Sequence, residues 1–227
     1  MKYPYLLFDA DDTLFDFSKA SSRAFSVMCR ENEIPNTPET YQQYQEINHA
    51  LWRAFDRGEV TKEFITLERY VRLLQVLHLD RSAEKCSQDY LAALSESVFP
   101  LPEAEAVCRE LAQRGHRLYI VTNAVAAVQR RRLELCTFAS VFQGAFISEE
   151  AGAGKPSRAY FDYVRAHIPG ITAENTLVIG DSPASDIQGA NNAGLPCCWF
   201  NPKQKTLPDG LHADYEISDL RQLLDIV

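Results

Sequence analysis

Two aspartates two residues apart, Asp9 and Asp11, stand at the end of the short apolar run Tyr5-Leu6-Leu7-Phe8 and lead into Asp12-Thr13-Leu14. An apolar run of that length bounded by acids predicts a strand buried on both faces and ending at Asp9. In open α/β sheets, ligands bind beyond the carboxyl ends of the strands, so these carboxylates are placed to do chemistry. They also repel each other, and a divalent cation is the natural partner that relieves the repulsion. Four further features fall at corresponding places. Leu118-Tyr119-Ile120-Val121 runs into Thr122-Asn123, a hydroxyl and an amide. Beyond a third apolar run, Gly152-Ala153-Gly154-Lys155-Pro156 brings a lysine to the start of a helix, whose N-terminus favours anions. Thr176-Leu177-Val178-Ile179 ends in Gly180-Asp181-Ser182, and Asp186 follows five residues after Asp181. Each feature alone is weak, since a lone D-x-D is usually a turn and a lone lysine a solvated charge. The order acid pair, hydroxyl, lysine, acid pair, at the ends of successive strands, is far more specific.

The elements that must hold these residues can be read from periodicity. After the first strand, residues 18–95 carry no strand signal. Helices are predicted over 18–32 and over 38–57, the second closed by Gly58. A third opens at Thr61 with Phe64, Leu67, Val71 and Leu74 as its apolar stripe, and a fourth is capped by Ser82 with Cys86, Tyr90 and Leu94 on one side. Beyond Pro100 and Pro102, helix and strand alternate strictly, with strands at 118–121, 145–147, 176–179 and 196–200 and a short edge strand at 215–217. This βαβ series predicts an α/β fold, a three-layer Rossmann-like core on a parallel sheet with an inserted all-helical cap domain. The core takes residues 1–16 and 97–227 and the cap 17–96. A cap inserted directly after the acidic pair is expected to hang over the carboxyl ends of the strands and enclose a substrate.

Composition narrows the classes. The chain of 227 residues carries a net charge of −8, which opposes a nucleic-acid polymer as partner. It is 46% hydrophobic and 24% charged, ordinary for a globular protein. No apolar run approaches a membrane span, and Met1-Lys2-Tyr3-Pro4 leads into a strand without a targeting segment. A cytoplasmic enzyme without membrane contact is expected. The six cysteines, at 29, 86, 108, 136, 197 and 198, show no C-x-x-C pair and read as reduced, mostly buried thiols. The five histidines never reach ligand spacing with one another, which disfavours zinc.

Taken together, Asp9-x-Asp11, Thr122, Lys155 and Gly180-Asp181-x-x-x-x-Asp186 resemble the haloacid dehalogenase superfamily, in its phosphatase branch with a helical cap. Four stretches are similar to the bacterial pyrimidine 5′-nucleotidase group: Asp9-x-Asp11-Asp12-Thr13-Leu14, Leu51-Trp52-Arg53-Ala54-Phe55, Gln129-x-x-Arg132-Leu133 and Cys198-Trp199-Phe200-Asn201-Pro202. The resemblance implies that Asp9 attacks phosphorus to form an aspartyl-phosphate. Asp11 would protonate the leaving oxygen and then activate water. Magnesium, with manganese as a substitute, would be held by the Asp9 carboxylate, the Asp11 carbonyl and Asp181. Lys155 would steady the nucleophile and neutralise phosphoryl charge, Thr122 would hydrogen-bond a phosphoryl oxygen, and the backbone at Asn123 would complete the cradle. Asp186 would orient Lys155 or a metal-bound water.

Departures from the family pattern are Asp12 and Ala124 where relatives often have glycine, and Pro183 where a larger apolar residue is common. In the cap, Trp52, with Phe55 and Phe64, would stack on a base and Asn48 would read its edge; the plainer readings are cap core for the aromatics and a solvent-facing amide for Asn48. Arg130-Arg131-Arg132 reads as a solvated face, because consecutive residues splay around a helix. Arg69 is a candidate for reaching the cleft. The expected substrate is a small phosphate ester, a pyrimidine or deoxypyrimidine nucleoside 5′-monophosphate first, acted on by a monomer or homodimer. The alternatives are a sugar phosphate or phosphoglycolate, and a non-catalytic phosphate-binding protein. Dehalogenation is disfavoured because it has no leaving oxygen for Asp11 to protonate.

Overall fold

Tyr5–Phe8 forms β1 with all four side chains buried. It pairs in parallel with β2 (Arg117–Thr122) on one side and with β4 (Thr176–Gly180) on the other. A strand flanked on both sides and covered on both faces has no wet side, so it reads as a continuous apolar run rather than an alternating one. With β3 (Phe142–Ile147), β5 (Cys197–Phe200) and β6 (Tyr215–Ile217) the sheet has six strands in the order β3-β2-β1-β4-β5-β6, and every pairing is parallel. The computed structural model describes residues 2–227.

Side chains of alternate residues go to opposite faces. Leu7, Val121, Val178 and Trp199 join Tyr160, Phe161 and Val164 of the helix Arg158–His167 in one core cluster. On the other face Leu6, Phe8, Leu118, Ile120, Leu177 and Ile179 have no exposed surface. The order along the chain places α1 (Phe17–Glu31), α2 (Pro38–Asp56), α3 (Lys62–Val76) and α4 (Ala83–Ser95) after β1, then α5 (Ala104–Gln113), α6 (Ala126–Leu135), α7 (Ser148–Ala151), α8 (Arg158–His167), α9 (Gln188–Ala193) and α10 (Leu223–Ile226) around the later strands. The α/β sandwich expected from the sequence is therefore the fold observed. β3 starts at Phe142, three residues before the expected 145. Gly144 interrupts its apolar pattern and the pairing with β2 shifts register between Leu118 and Tyr119, which hid those first residues.

The chain divides into two compact units, one of Met1–Phe17 with Phe99–Val227 and one of Ser18–Val98. The helical unit contains α1 (Phe17–Glu31), α2 (Pro38–Asp56), α3 (Lys62–Val76) and α4 (Ala83–Ser95). Thr37, Thr61 and Ser82 accept the first free N–H groups of α2, α3 and α4. The stripe expected on α3 is corrected. Phe64 and Leu67 are 43% and 36% exposed, while Ile65, Arg69, Tyr70 and Leu73 are buried. Arg69 and Tyr70 take core positions because the interior of this unit is aromatic: Tyr44 has ring centroids 4.8, 5.9 and 5.6 Å from Phe25, Tyr70 and Tyr90. All six cysteines are buried free thiols. Among the described residues, no helix is long and apolar enough to cross a membrane.

Candidate active site

Register brings the acids together. Phe8 is level with Ile120 of β2 and Ile179 of β4, so Asp9 emerges one residue short of Thr122 on one side and of Asp181 on the other. The Asp9 amide donates to the Ile179 carbonyl at 2.8 Å, extending the ladder by one step. Just beyond, Leu14 and Phe15 both donate to the Ala10 carbonyl, which turns the chain sharply at the acids. Asp12 occupies that turn with φ of +61°, the left-handed region that favours glycine and that aspartate tolerates. Its Oδ1 accepts from the Phe17 amide at 3.1 Å, so the departure from glycine comes with a hydrogen bond of its own.

Lys155 is 3% exposed and lies ahead of α8. Its Nζ donates to Asp9 Oδ1 at 2.6 Å, to Asp186 Oδ1 at 2.6 Å and to the Val121 carbonyl at 2.9 Å. An ammonium has three hydrogens, and all three are spent. Asn123, a predicted substrate contact, directs its side chain at the backbone of Lys155: Nδ2 donates to the Lys155 carbonyl at 2.8 Å and Oδ1 accepts from the Lys155 amide at 2.9 Å. Thr122 is 2% exposed; its amide donates to Tyr160 Oη at 3.0 Å and its hydroxyl accepts from the Ala124 amide at 3.1 Å. Tyr160 in turn donates to the Phe146 carbonyl at 2.6 Å, tying the ends of β2 and β3 to α8.

Asp186 sits in a single π-helical turn, Pro183–Ile187, that follows Asp181. Its second oxygen accepts from the Ser182 amide at 3.0 Å. A Cβ on Gly180 would lie 2.3 Å from the Asp186 carboxyl, so only glycine lets Asp186 approach the strand end. Pro183 opens that turn. Trp199 of β5 donates its indole N–H to the Asp181 carbonyl at 2.9 Å, fixing the loop from the neighbouring strand.

Burial, with the negative charges of Asp186 and Asp11 added, pushes the Asp9 carboxyl up to about 7 against the opposing pull of Lys155. Asp181 is raised well above the usual carboxylate range by burial and by Asp9 and Asp186. For Lys155, burial favours the neutral amine, but Asp186 and Asp9 outweigh it and hold the group protonated. One cation thus faces three acids, and the carboxylate oxygens of Asp9, Asp181 and Asp186 lie within 4.8 Å of one another. Hard oxygen donors in such a cluster fit a divalent metal ion, and a cation there would relieve the repulsion.

The sequence reading of the arginine triplet is corrected. Arg130 and Arg131 are surface groups paired with Glu150 and Glu134, but the side chain of Arg132 is 1% exposed and meets Asp11 Oδ1 at 2.6 Å. Its helix face is buried through Val128 and Gln129, and that flanking pattern is the signal that could have set it apart from its neighbours. In the helical unit, Asn48 is 5% exposed, so it is no solvent-facing amide; its Oδ1 accepts from Arg69 Nη1 at 3.2 Å. Trp52 is half-buried and meets Phe55 edge-on at 5.5 Å. Arg69 is 3% exposed and lies 5.0 and 4.5 Å from the ring centroids of Tyr70 and Tyr90.

The family model for haloacid dehalogenase-like hydrolases matches residues 3–194. The HAD-hydrolase YfnB of Bacillus subtilis is 37% identical over 226 residues, covering 100% of this chain and 96% of that protein. Its crystal structure bound to magnesium, described as revealing interdomain movement, matches with a TM-score of 0.94 over 100% of this chain and 99% of the other. The pyrimidine 5′-nucleotidase YjjG of Escherichia coli is 32% identical, covering 98% of this chain and 97% of that protein. The pyrimidine 5′-nucleotidase PynA of Streptococcus pneumoniae is 31% identical, with coverage of 99% and 95%.

Proposed function

Because this chain belongs to the haloacid dehalogenase-like hydrolase family, we propose that it hydrolyses nucleoside 5′-monophosphates, pyrimidine and deoxypyrimidine forms preferred, through a phosphorylated Asp9. It is a phosphoric monoester hydrolase of that family, with pyrimidine 5′-nucleotidases among its full-length relatives. The observation that carries the reading is the Asp9 carboxylate, held by Lys155 at 2.6 Å on the end of the central strand.

In the proposed reaction an Asp9 oxygen attacks phosphorus while the bond to the nucleoside 5′ oxygen breaks. The electron pair of that bond goes to the leaving oxygen, which takes a proton from Asp11. Asp11 then accepts a proton from water as the water displaces Asp9 from phosphorus. Lys155 holds Asp9 in place and offsets phosphoryl charge, and the Thr122 hydroxyl can donate to a phosphoryl oxygen. Magnesium would be held by Asp9, Asp181 and the Asp11 carbonyl, supplying charge for the phosphoryl oxygens. Asp186 keeps Lys155 aligned, which its 2.6 Å contact supports.

The helical unit, Ser18–Val98, is proposed as the cap, expected over 17–96, that supplies specificity. The exposure of Phe64 and the half-exposure of Trp52 support aromatic contact with a base. Asn48, bonded to Arg69, fits better as a residue that shapes that surface from within. The test is phosphate release with magnesium from a panel of dUMP, dTMP, UMP, dAMP, dGMP, sugar phosphates and phosphoglycolate. Preference for the pyrimidine monophosphates is expected; preference for a sugar phosphate or phosphoglycolate would keep the chemistry and discard the nucleotidase assignment.

A further inference from the structure

Arg132 is a fully buried cation on α6 that reaches Asp11 from the protein side. Its Nη1 donates to Asp11 Oδ1 at 2.6 Å and to Gln129 Oε1 at 3.0 Å, and its guanidinium lies 5.2 Å from the centroid of the Phe15 ring. Gln129 has no exposed surface either, so a buried amide, a ring and a carboxylate together fix the plane of the guanidinium. The Asp11 side chain is 25% exposed, so the two partners are unequal: one is locked in the interior and the other is reachable from solvent. Hydrogen bonds from Leu14 and Phe15 to Ala10 fix the backbone around Asp11, but they leave its side-chain torsions open. Arg132 closes that freedom.

We infer that Arg132 is the positioning residue for Asp11, holding Oδ1 so that the other oxygen is presented to the leaving group. This rests on the reading of Asp11 as the acid that protonates the leaving oxygen. It does not require Arg132 to touch substrate. A well-placed acid is worth roughly 10²- to 10⁴-fold when the leaving oxygen is strongly basic and much less when it is not. A nucleoside 5′-alkoxide needs the proton, whereas a dinitrophenolate departs without one. A merely structural role for Arg132 would damage both reactions alike.

The experiment compares wild type, Arg132→Lys, Arg132→Met and Asp11→Asn on the best nucleotide of the panel and on dinitrophenyl phosphate, reading kcat/KM with magnesium. That ratio reports only steps up to departure of the alcohol, so the later work of Asp11 on water does not enter. Arg132→Met is expected to lose about 10- to 100-fold on the nucleotide, part of the acid's worth, and to stay within a few fold of wild type on the aryl ester. In the Asp11→Asn background it should add no further loss. Equal losses on both esters, or losses that multiply with Asp11→Asn, would overturn the proposal. Arg132→Lys carries the same comparison should the methionine variant fail a thermal melt. If wild type cleaves neither ester, the hydrolase reading itself fails and the positioning role falls with it.

Discussion

Lys155 and Arg132 of the α/β unit and Arg69 of the helical unit are buried cations satisfied by different means. Lys155 is surrounded by Asp9 and Asp186, and Arg132 faces Asp11. Arg69, equally buried, pairs with no carboxylate among the described residues; it meets the amide oxygen of Asn48 and the faces of Tyr70 and Tyr90. The first arrangement depends on its cations, because removing one leaves buried acids uncompensated. The second spreads a guanidinium over π faces, where each contact is worth only about 0.5–2 kcal/mol. Lys155 and Arg132 are thus matched to acids, and Arg69 to an amide and rings.

That contrast can be broken most decisively at Asp9. Asp9→Asn is expected to lower turnover by at least about 10³-fold, as removal of a nucleophile does elsewhere, while melting stays at or above the wild-type temperature because a repelling carboxylate is gone. Phosphate release and a circular-dichroism melt read both; turnover within a few fold of wild type contradicts the assignment. Next in size, Lys155→Met should cost about 3–5 kcal/mol of stability by stranding Asp9 and Asp186. A loss below about 1 kcal/mol in urea unfolding would show that the acids do not depend on their cation. Magnesium supplies the third test. At a hundredfold excess over its dissociation constant it should stabilise wild type by about 2.7 kcal/mol. Asp181→Asn should remove most of that gain, and an undiminished shift in the variant would place the metal elsewhere. The smallest effect is expected at Arg69→Met, a change of less than about 1.5 kcal/mol in either direction, since the lost ring contacts and the relieved desolvation oppose each other. A loss above about 3 kcal/mol would show that the helical unit depends on its cation as the α/β unit does.

The same contrast explains what could be read in the chain before its fold was known. Parallel strands buried on both faces appear as apolar runs that stop at strand ends, so Asp9 and Thr122, directly after their runs, and Asp181, one residue past Gly180, could be placed by position alone. Lys155 followed from its place ahead of a helix. Arg132 did not, because a triplet of arginines on a helix looks uniformly solvated and only its burial beside Gln129 separates it from Arg130 and Arg131. The Asn123 backbone was expected at the phosphate cradle, but the work of its side chain could not be read, because the two bonds it makes to the Lys155 backbone depend on a loop from a distant part of the chain. On α3 the periodicity favoured Phe64 and Leu67 over Arg69 and Tyr70. An interior built on tyrosine rings accepts an arginine that an aliphatic core would reject.

The measurement closest to the central claim is a rapid-quench turnover with magnesium and a nucleoside monophosphate carrying radiolabelled phosphate, followed by peptide mapping in acid. Label on the peptide containing Asp9, appearing before free phosphate and absent from Asp9→Asn, is the predicted result. Release of labelled phosphate at full rate with no label on the protein at any time would contradict it.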